Sequence, residues 1–190
     1  MDNKNNFLAK LDENPIIAAV KDMKGLETAL QTECRVIFLL FGSIVNISEL
    51  SAMVKAADKM CMIHIDLMDG LAMRDVSVDF VAKNTAADGI ISTKLSLVKH
   101  ADASGLLAIQ RFFMLDSMAL SNLEKQYPKD SACAIEILPG LMPKIIRKLT
   151  DMVEKPIIAG GLISEKEDAV NALKAGARAV SSTNPEVWRL

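Results

Sequence analysis

Residues 157–182 read IIAGGLISEKEDAVNALKAGARAVSS, and this stretch holds a complete strand–helix–strand unit. Ile157–Ala159 is a short apolar run that ends in Gly160-Gly161. Ser164 and Glu167 then form an S-x-x-E pattern, the spacing at which a hydroxyl and a carboxylate cap a helix reciprocally. Val170 and Leu173 supply an apolar face, and Gly176 stands where a left-handed C-cap is expected. A second apolar run, Ala179–Ser182, follows at once. Continuous apolar runs linked by an amphipathic helix describe a parallel βαβ unit buried on both faces.

Working outward, the same grammar repeats along the chain. Further strands are expected at Ile16–Val20, Val36–Phe41, Met62–Leu67, Gly89–Ser92, Leu106–Met114 and Cys133–Leu138. Between them, Met142–Val153 places Pro143 in a first helical turn and sets Ile145, Ile146, Leu149 and Met152 at helical spacing. The helix after the second strand repeats this through Ile47, Leu50, Met53, Val54 and Ala57. Asp22, Asp75 and Asp116 read as N-caps of the helices after strands one, three and five. Eight β-then-α units in 190 residues leave about 24 residues each, the low end for a (β/α)8 TIM-type barrel. The expectation is a compact barrel forming one domain over residues 1–190, with no room for a second domain, a long lid or a metal-binding insertion. A doubly wound open sheet would use fewer strands and often a Gly-rich first turn, whereas here the first strand runs into Val20-Lys21-Asp22-Met23.

Composition narrows the class. No apolar run approaches the roughly 20 residues of a membrane-spanning helix, and the polar start Met-Asp-Asn-Lys-Asn-Asn has no signal core, so a cytoplasmic protein without membrane contact is expected. Cys34, Cys61 and Cys133 form no C-x-x-C pair, and with two histidines in the chain they read as buried reduced thiols rather than a metal site. The eleven methionines are scattered over core positions. A net charge of −2 gives no general attraction to nucleic acid, so any such contact must come from a local patch.

Barrels of this type bind ligands on the loops that follow the strands, with phosphate commonly held after strands seven and eight. Gly160 and Gly161 let the backbone approach an anion, while Ser181, Ser182 and Thr183 add hydroxyls before Asn184-Pro185 and a short final helix. Each half alone is common turn material; both at the seventh and eighth positions form a phosphate site. Other ionisable groups mark strand ends. Lys21 follows strand one and Lys94 follows strand four, while His64 and Asp66 fall two apart on strand three and so share a face. Arg111 and Glu136 lie within the neighbouring strands five and six, where a charge is costly unless it is paired or used. They read equally as an ion pair or as ligand contacts, Lys21 and Arg111 for ligand oxygens, Asp66 and Glu136 for hydroxyls.

His64-Ile65-Asp66-Leu67-Met68-Asp69-Gly70 resembles the strand-three motif of ribulose-phosphate 3-epimerases, in which a histidine and an aspartate bind metal and move protons. Such a site also needs a histidine after strand two and an aspartate after strand seven; here Phe41-Gly42-Ser43 and Ala159 stand there, so no metal site or cofactor is expected.

Over nearly its whole length the chain resembles the glycerol-uptake operon antiterminator regulatory proteins (the GlpP family). The resemblance is carried by Asn14 through Lys21, His64 through Leu67, Ala87 through Lys94, Ile109 through Phe112, Ile135 through Lys144, Pro156 through Ile163 and Gly176 through Trp188. It implies a sensor of glycerol 3-phosphate that binds a leader mRNA and promotes transcription antitermination of glycerol-use genes, and not an enzyme. By position, Gly160, Gly161, Ser181 and Ser182 would hold the phosphate, while Lys21, Asp66, Arg111 and Glu136 would face the glycerol end or hold the site rigid, and Lys94 is a further ligand-binding candidate. The residues themselves say little about RNA. There is no aromatic-rich basic strand and no arginine-rich tail, only one Tyr and one Trp, and Lys144, Arg147 and Lys148 read more simply as a solvated helix face. A homodimer, or a ligand-driven rearrangement, would then assemble the basic surface. The alternative is a phosphosugar or glycerol-phosphate enzyme, epimerase-like or resembling the prenylglyceryl-phosphate synthases, whose acid–base work would fall to Asp66 and Lys94.

Overall fold

Eight parallel strands close on one another in chain order, each paired with its two neighbours and β1 with β8. The computed structural model describes residues 3–126 and 131–190; Tyr127, the one tyrosine, lies outside them. The strands are β1 (Ile16–Val20), β2 (Val36–Leu39), β3 (Met60–His64), β4 (Gly89–Ser92), β5 (Leu107–Phe113), β6 (Ala134–Leu138), β7 (Ile157–Gly160) and β8 (Ala179–Ser182). An N-terminal helix α1 (Asn3–Glu13) precedes them, and α2 (Met23–Leu30), α3 (Ile47–Ala56), α4 (Asp75–Asn84), α5 (Leu95–Ala103), α6 (Ser117–Gln126), α7 (Pro143–Met152) and α8 (Lys166–Lys174) connect them.

Alternation along each strand divides the apolar residues into two cores. Ile37, Leu39, Ile63, Ile135 and Val180 face the helices. Ile17, Phe38, Met62, Ile109 and Ile158 fill the barrel, where Phe7 and Leu11 of α1 join them and close the N-terminal end. The sequence reading missed this helix, because its pattern carries so few buried apolar side chains.

The local details correct several expectations. The box before α8 is displaced by one residue: Glu165 is the N-cap and Asp168 the reciprocal partner. Asp168 accepts from the backbone N–H groups of Ser164 and Glu165 and from the Ser164 hydroxyl, a carboxylate doing what Glu167 was expected to do. Asp22 and Asp116 cap α2 and α6 through the backbone N–H groups of Gly25 and Ala119. Asp75 is instead the first residue of α4, and Arg74 holds the cap position without a side-chain bond. Gly176 has φ +107°, the left-handed geometry expected past α8. On α7, Ile146 and Leu149 are buried, while Met152, at its last position, is exposed. All three cysteines are free and buried, and burial raises their thiol pKa values, that of Cys133 to about 12.

Strand three ends sooner than expected. After His64 the chain enters a single 3-10 turn, Ile65–Leu67. Asp66 is therefore off the strand and does not share a face with His64. The final helix likewise shrinks to a 3-10 turn, Val187–Arg189, which Trp188 anchors by donating its indole N–H to the Ser182 carbonyl at 2.7 Å.

Candidate functional site

The interior of the barrel changes character at the C-terminal strand ends. Below, the filling is apolar; above, Arg111 from β5, Glu136 from β6 and Ser181 from β8 form one hydrogen-bonded chain. Arg111 Nε donates to Glu136 Oε2 at 2.7 Å, and the Ser181 hydroxyl donates to Glu136 Oε1 at 2.6 Å. Glu136 is 1 % exposed and Arg111 8 %. The pair is thus the ion pair that the sequence allowed, held at one register because Arg111 and Glu136 are direct neighbours across β5 and β6. Only Nε of the guanidinium is used by Glu136, so its remaining N–H donors stay available for ligand oxygens.

Gly160 makes this arrangement fit. A Cβ there would sit 2.6 Å from both Glu136 Oε1 and Ser181 Oγ. Its role is thus close approach beneath the floor, whereas Gly161 lines the cavity above.

That cavity, about 280 Å³, opens over Arg111, Glu136 and Ser181 and is walled by the loops after β7 and β8. In the β7 loop, Gly161 (φ +73°) and Leu162 (φ +62°) are successive left-handed residues. The second is unusual for a side chain of that size. Among the described residues, the backbone N–H groups of Gly161, Leu162, Ile163 and Thr183 donate to no acceptor of the chain. Runs of such amides at a turn form an anion-binding concavity. The Ser182 hydroxyl donates to the Ile163 carbonyl at 2.7 Å, and the Asn184 side-chain amide donates to the Ser164 carbonyl at 2.8 Å. These two bonds fasten the β7 and β8 loops to each other. The helix-dipole argument for this end does not hold: a three-residue 3-10 turn has little dipole, and the N–H groups of Asn184, Glu186 and Val187 are already engaged.

The other expected residues lie outside the cavity wall. Asp66 accepts from the Ser92 hydroxyl at 2.6 Å and from the Thr93 backbone and hydroxyl at 2.7 Å, which pins the loop after β4. Lys94 Nζ donates to the Met73 carbonyl at 2.8 Å. Lys21 is exposed just past β1, with no ion pair among the described residues. His64, which sequence reasoning did not place in the site, is the buried inward-facing residue at the end of β3, with Nδ1 lacking any partner among the described residues. Burial, and next the nearby Arg111 charge, push its pKa down to about 4, so the imidazole is neutral at pH 7. Its signals in sequence were its place at a strand end and its position in the motif of His64 through Gly70. Among the described residues no group of three or more His, Cys, Asp or Glu side chains is arranged to hold a metal ion.

A larger hollow of about 420 Å³ lies beside the C-terminal end of α2 and the end of the chain. Its charged lining residues, Glu33 and Arg189, are exposed, and it has no buried ionisable group, so the chemistry concentrates at the barrel mouth.

Comparison with known proteins identifies the family and the fold. The model of a family described as glycerol-3-phosphate responsive antiterminator matches residues 16–188. The protein YgcP of Escherichia coli (strain K12) is 45 % identical over 184 residues, covering 97 % of this chain and 96 % of that one. A glycerol uptake operon antiterminator regulatory protein from Listeria monocytogenes str. 4b F2365 superposes with a TM-score of 0.88 at 33 % identity, over 92 % of this chain and 95 % of its own. A glycerol uptake operon antiterminator-related protein from Thermotoga maritima MSB8 does so with a TM-score of 0.82 at 32 % identity, over 92 % and 98 %.

Proposed function

Because the chain belongs to the family of glycerol-3-phosphate responsive antiterminators, we propose that it is a non-catalytic regulator whose barrel mouth takes glycerol 3-phosphate. In this reading it acts in the cytoplasm on the leader mRNA of glycerol-utilisation genes and promotes antitermination.

The observation that carries the reading is the cavity over the Arg111–Glu136–Ser181 chain. Its floor offers a guanidinium edge and a carboxylate, and its wall offers unpaired turn amides. The phosphate sits on the amides of Gly161, Leu162, Ile163 and Thr183, with Ser182 holding that wall in place, Ser181 fixing the Glu136 floor and Gly160 making room beneath it. The glycerol hydroxyls reach Arg111 and Glu136. At about 280 Å³ the cavity falls just below the roughly 300–1,000 Å³ of pockets for drug-sized ligands, which suits a three-carbon phosphate and leaves no channel for a long apolar chain. Asp66 and Lys94, the pair to which acid–base chemistry would fall, are spent on loop contacts. No helix of the described residues is long and apolar enough to cross a membrane. Ligand and RNA are coupled if glycerol 3-phosphate prefers one arrangement of the mouth loops over another.

Calorimetric titration tests this with glycerol 3-phosphate, glycerol, dihydroxyacetone phosphate and ribulose 5-phosphate, each with and without added divalent metal. Glycerol 3-phosphate is expected to bind without metal and glycerol not to bind. Thr183→Glu, an exposed change that sets a negative charge at the cavity wall, abolishes binding while the circular dichroism stays unaltered. Affinity for a leader transcript then shifts on adding glycerol 3-phosphate. Preference for ribulose 5-phosphate with a metal requirement would return the barrel to the enzymes.

A further inference from the structure

Large apolar side chains left exposed on this protein are not spread evenly. Among the described residues, all but Met152 and Leu190 lie at or just after the C-terminal ends of strands. Val45, Leu67, Val76, Leu115, Met118 and Leu162 stand out, Val45 at 88 % and Leu115 at 82 % exposure. They come from the loops and first helical turns after β2, β3, β5 and β7, so they ring the mouth rather than form a stripe on one side. Neighbouring loops are joined in two pairs, those after β2 and β3 by the Ser43–Asp69 bridge and those after β6 and β7 by the Gly140 N–H bonded to the Gly161 carbonyl. Exposed apolar surface gathered in this way marks a docking face.

We propose that a second copy of this chain docks mouth to mouth on this rim and covers the ligand cavity.

The chemistry of the rim selects this occupant. Phe113 is the one aromatic among those exposed side chains, so there is no stacking platform for single-stranded RNA. A net charge of −2 and the lack of an exposed Trp or Tyr there among the described residues disfavour an anionic lipid surface. Beside the apolar ring, on the segments after β1 and β3, exposed Lys21, Lys24 and Arg74 lie among exposed Asp22, Asp69 and Asp75. A face carrying both signs beside a shared apolar patch can complement itself across a two-fold axis, as an isologous interface requires. The area is sufficient. A globule of 190 residues has a radius of gyration of about 16 Å, hence an end face of roughly 1,300 Å², above the ~800 Å² per partner of a standard interface. Leu162 belongs to the rim and to the cavity wall alike, so a copy seated on the rim also closes the cavity. That closure rests on the effector reading above; the docking itself does not.

Sedimentation velocity on the full chain without ligand decides the matter across a concentration series. The wild type is expected to sediment as a dimer, Val45→Lys/Leu115→Lys as a monomer, and Met152→Lys, at the opposite end, as a dimer. The milder Val45→Ser/Leu115→Ser pair raises the dimer dissociation constant roughly tenfold or more, with unaltered circular dichroism. A wild type that stays monomeric at every concentration, or a Lys pair that stays dimeric, overturns the proposal. Titrating the monomeric Lys pair with glycerol 3-phosphate separates the two readings. Binding there upholds the pocket independently of docking, whereas a monomeric Lys pair that binds no glycerol 3-phosphate removes the effector reading and leaves docking standing on the sedimentation result.

Discussion

Glu136 touches two other strands, and replacing it exposes what the interior chain is worth. Glu136→Leu leaves the Arg111 guanidinium buried with no counter-charge, a change expected to cost roughly 3–5 kcal/mol in urea denaturation. Glu136→Gln keeps a hydrogen-bonding side chain there and should lose less. His64 yields a prediction in pH. The unfolded imidazole takes a proton near 6.5, while the folded one, held down by burial and the Arg111 charge, resists until about 4. Between those values the unfolded state binds more protons, so stability falls as pH drops through the window, by up to about 3 kcal/mol. His64→Asn should flatten that slope in denaturation curves measured from neutral pH to about 4. Arg111 and Glu136 were legible in sequence because a charge inside an apolar strand is conspicuous. Asp66 was misplaced because nothing in Met62–Leu67, neither glycine nor proline, signals that the strand stops at His64.

Whole elements were more legible than their edges. The closed order of eight strands follows from runs of β-branched residues buried on both faces, a pattern hard to satisfy otherwise. The α8 box slipped by one residue because Ser164-x-x-Glu167 and Glu165-x-x-Asp168 overlap, and only three-dimensional reach chooses between them. Helix α1 escaped notice because Phe7 and Leu11 are its sole buried residues, too sparse a pattern to show periodicity. Both side chains nevertheless enter the barrel core. Phe7→Ala should therefore lower stability by about 3–5 kcal/mol, the usual cost of emptying a core aromatic, while leaving glycerol 3-phosphate affinity at the far end nearly unchanged.

At the scale of the molecule the two ends of the barrel differ in kind. One is sealed by apolar packing of α1; the other gathers the unpaired amides, the guanidinium edge and the exposed apolar rim. A net charge of −2 means that any transcript is met by a local surface and not by the protein's overall field. The stopper formed by Phe7 and Leu11 makes the barrel a blind well with one doorway. An effector must leave by the way it came, so whatever sits on the doorway governs timing as well as occupancy. Stopped-flow displacement of bound glycerol 3-phosphate should accordingly run slower in the wild type than in the Val45→Lys/Leu115→Lys pair. A regulator built this way keeps a brief memory: its signal outlasts the supply that raised it.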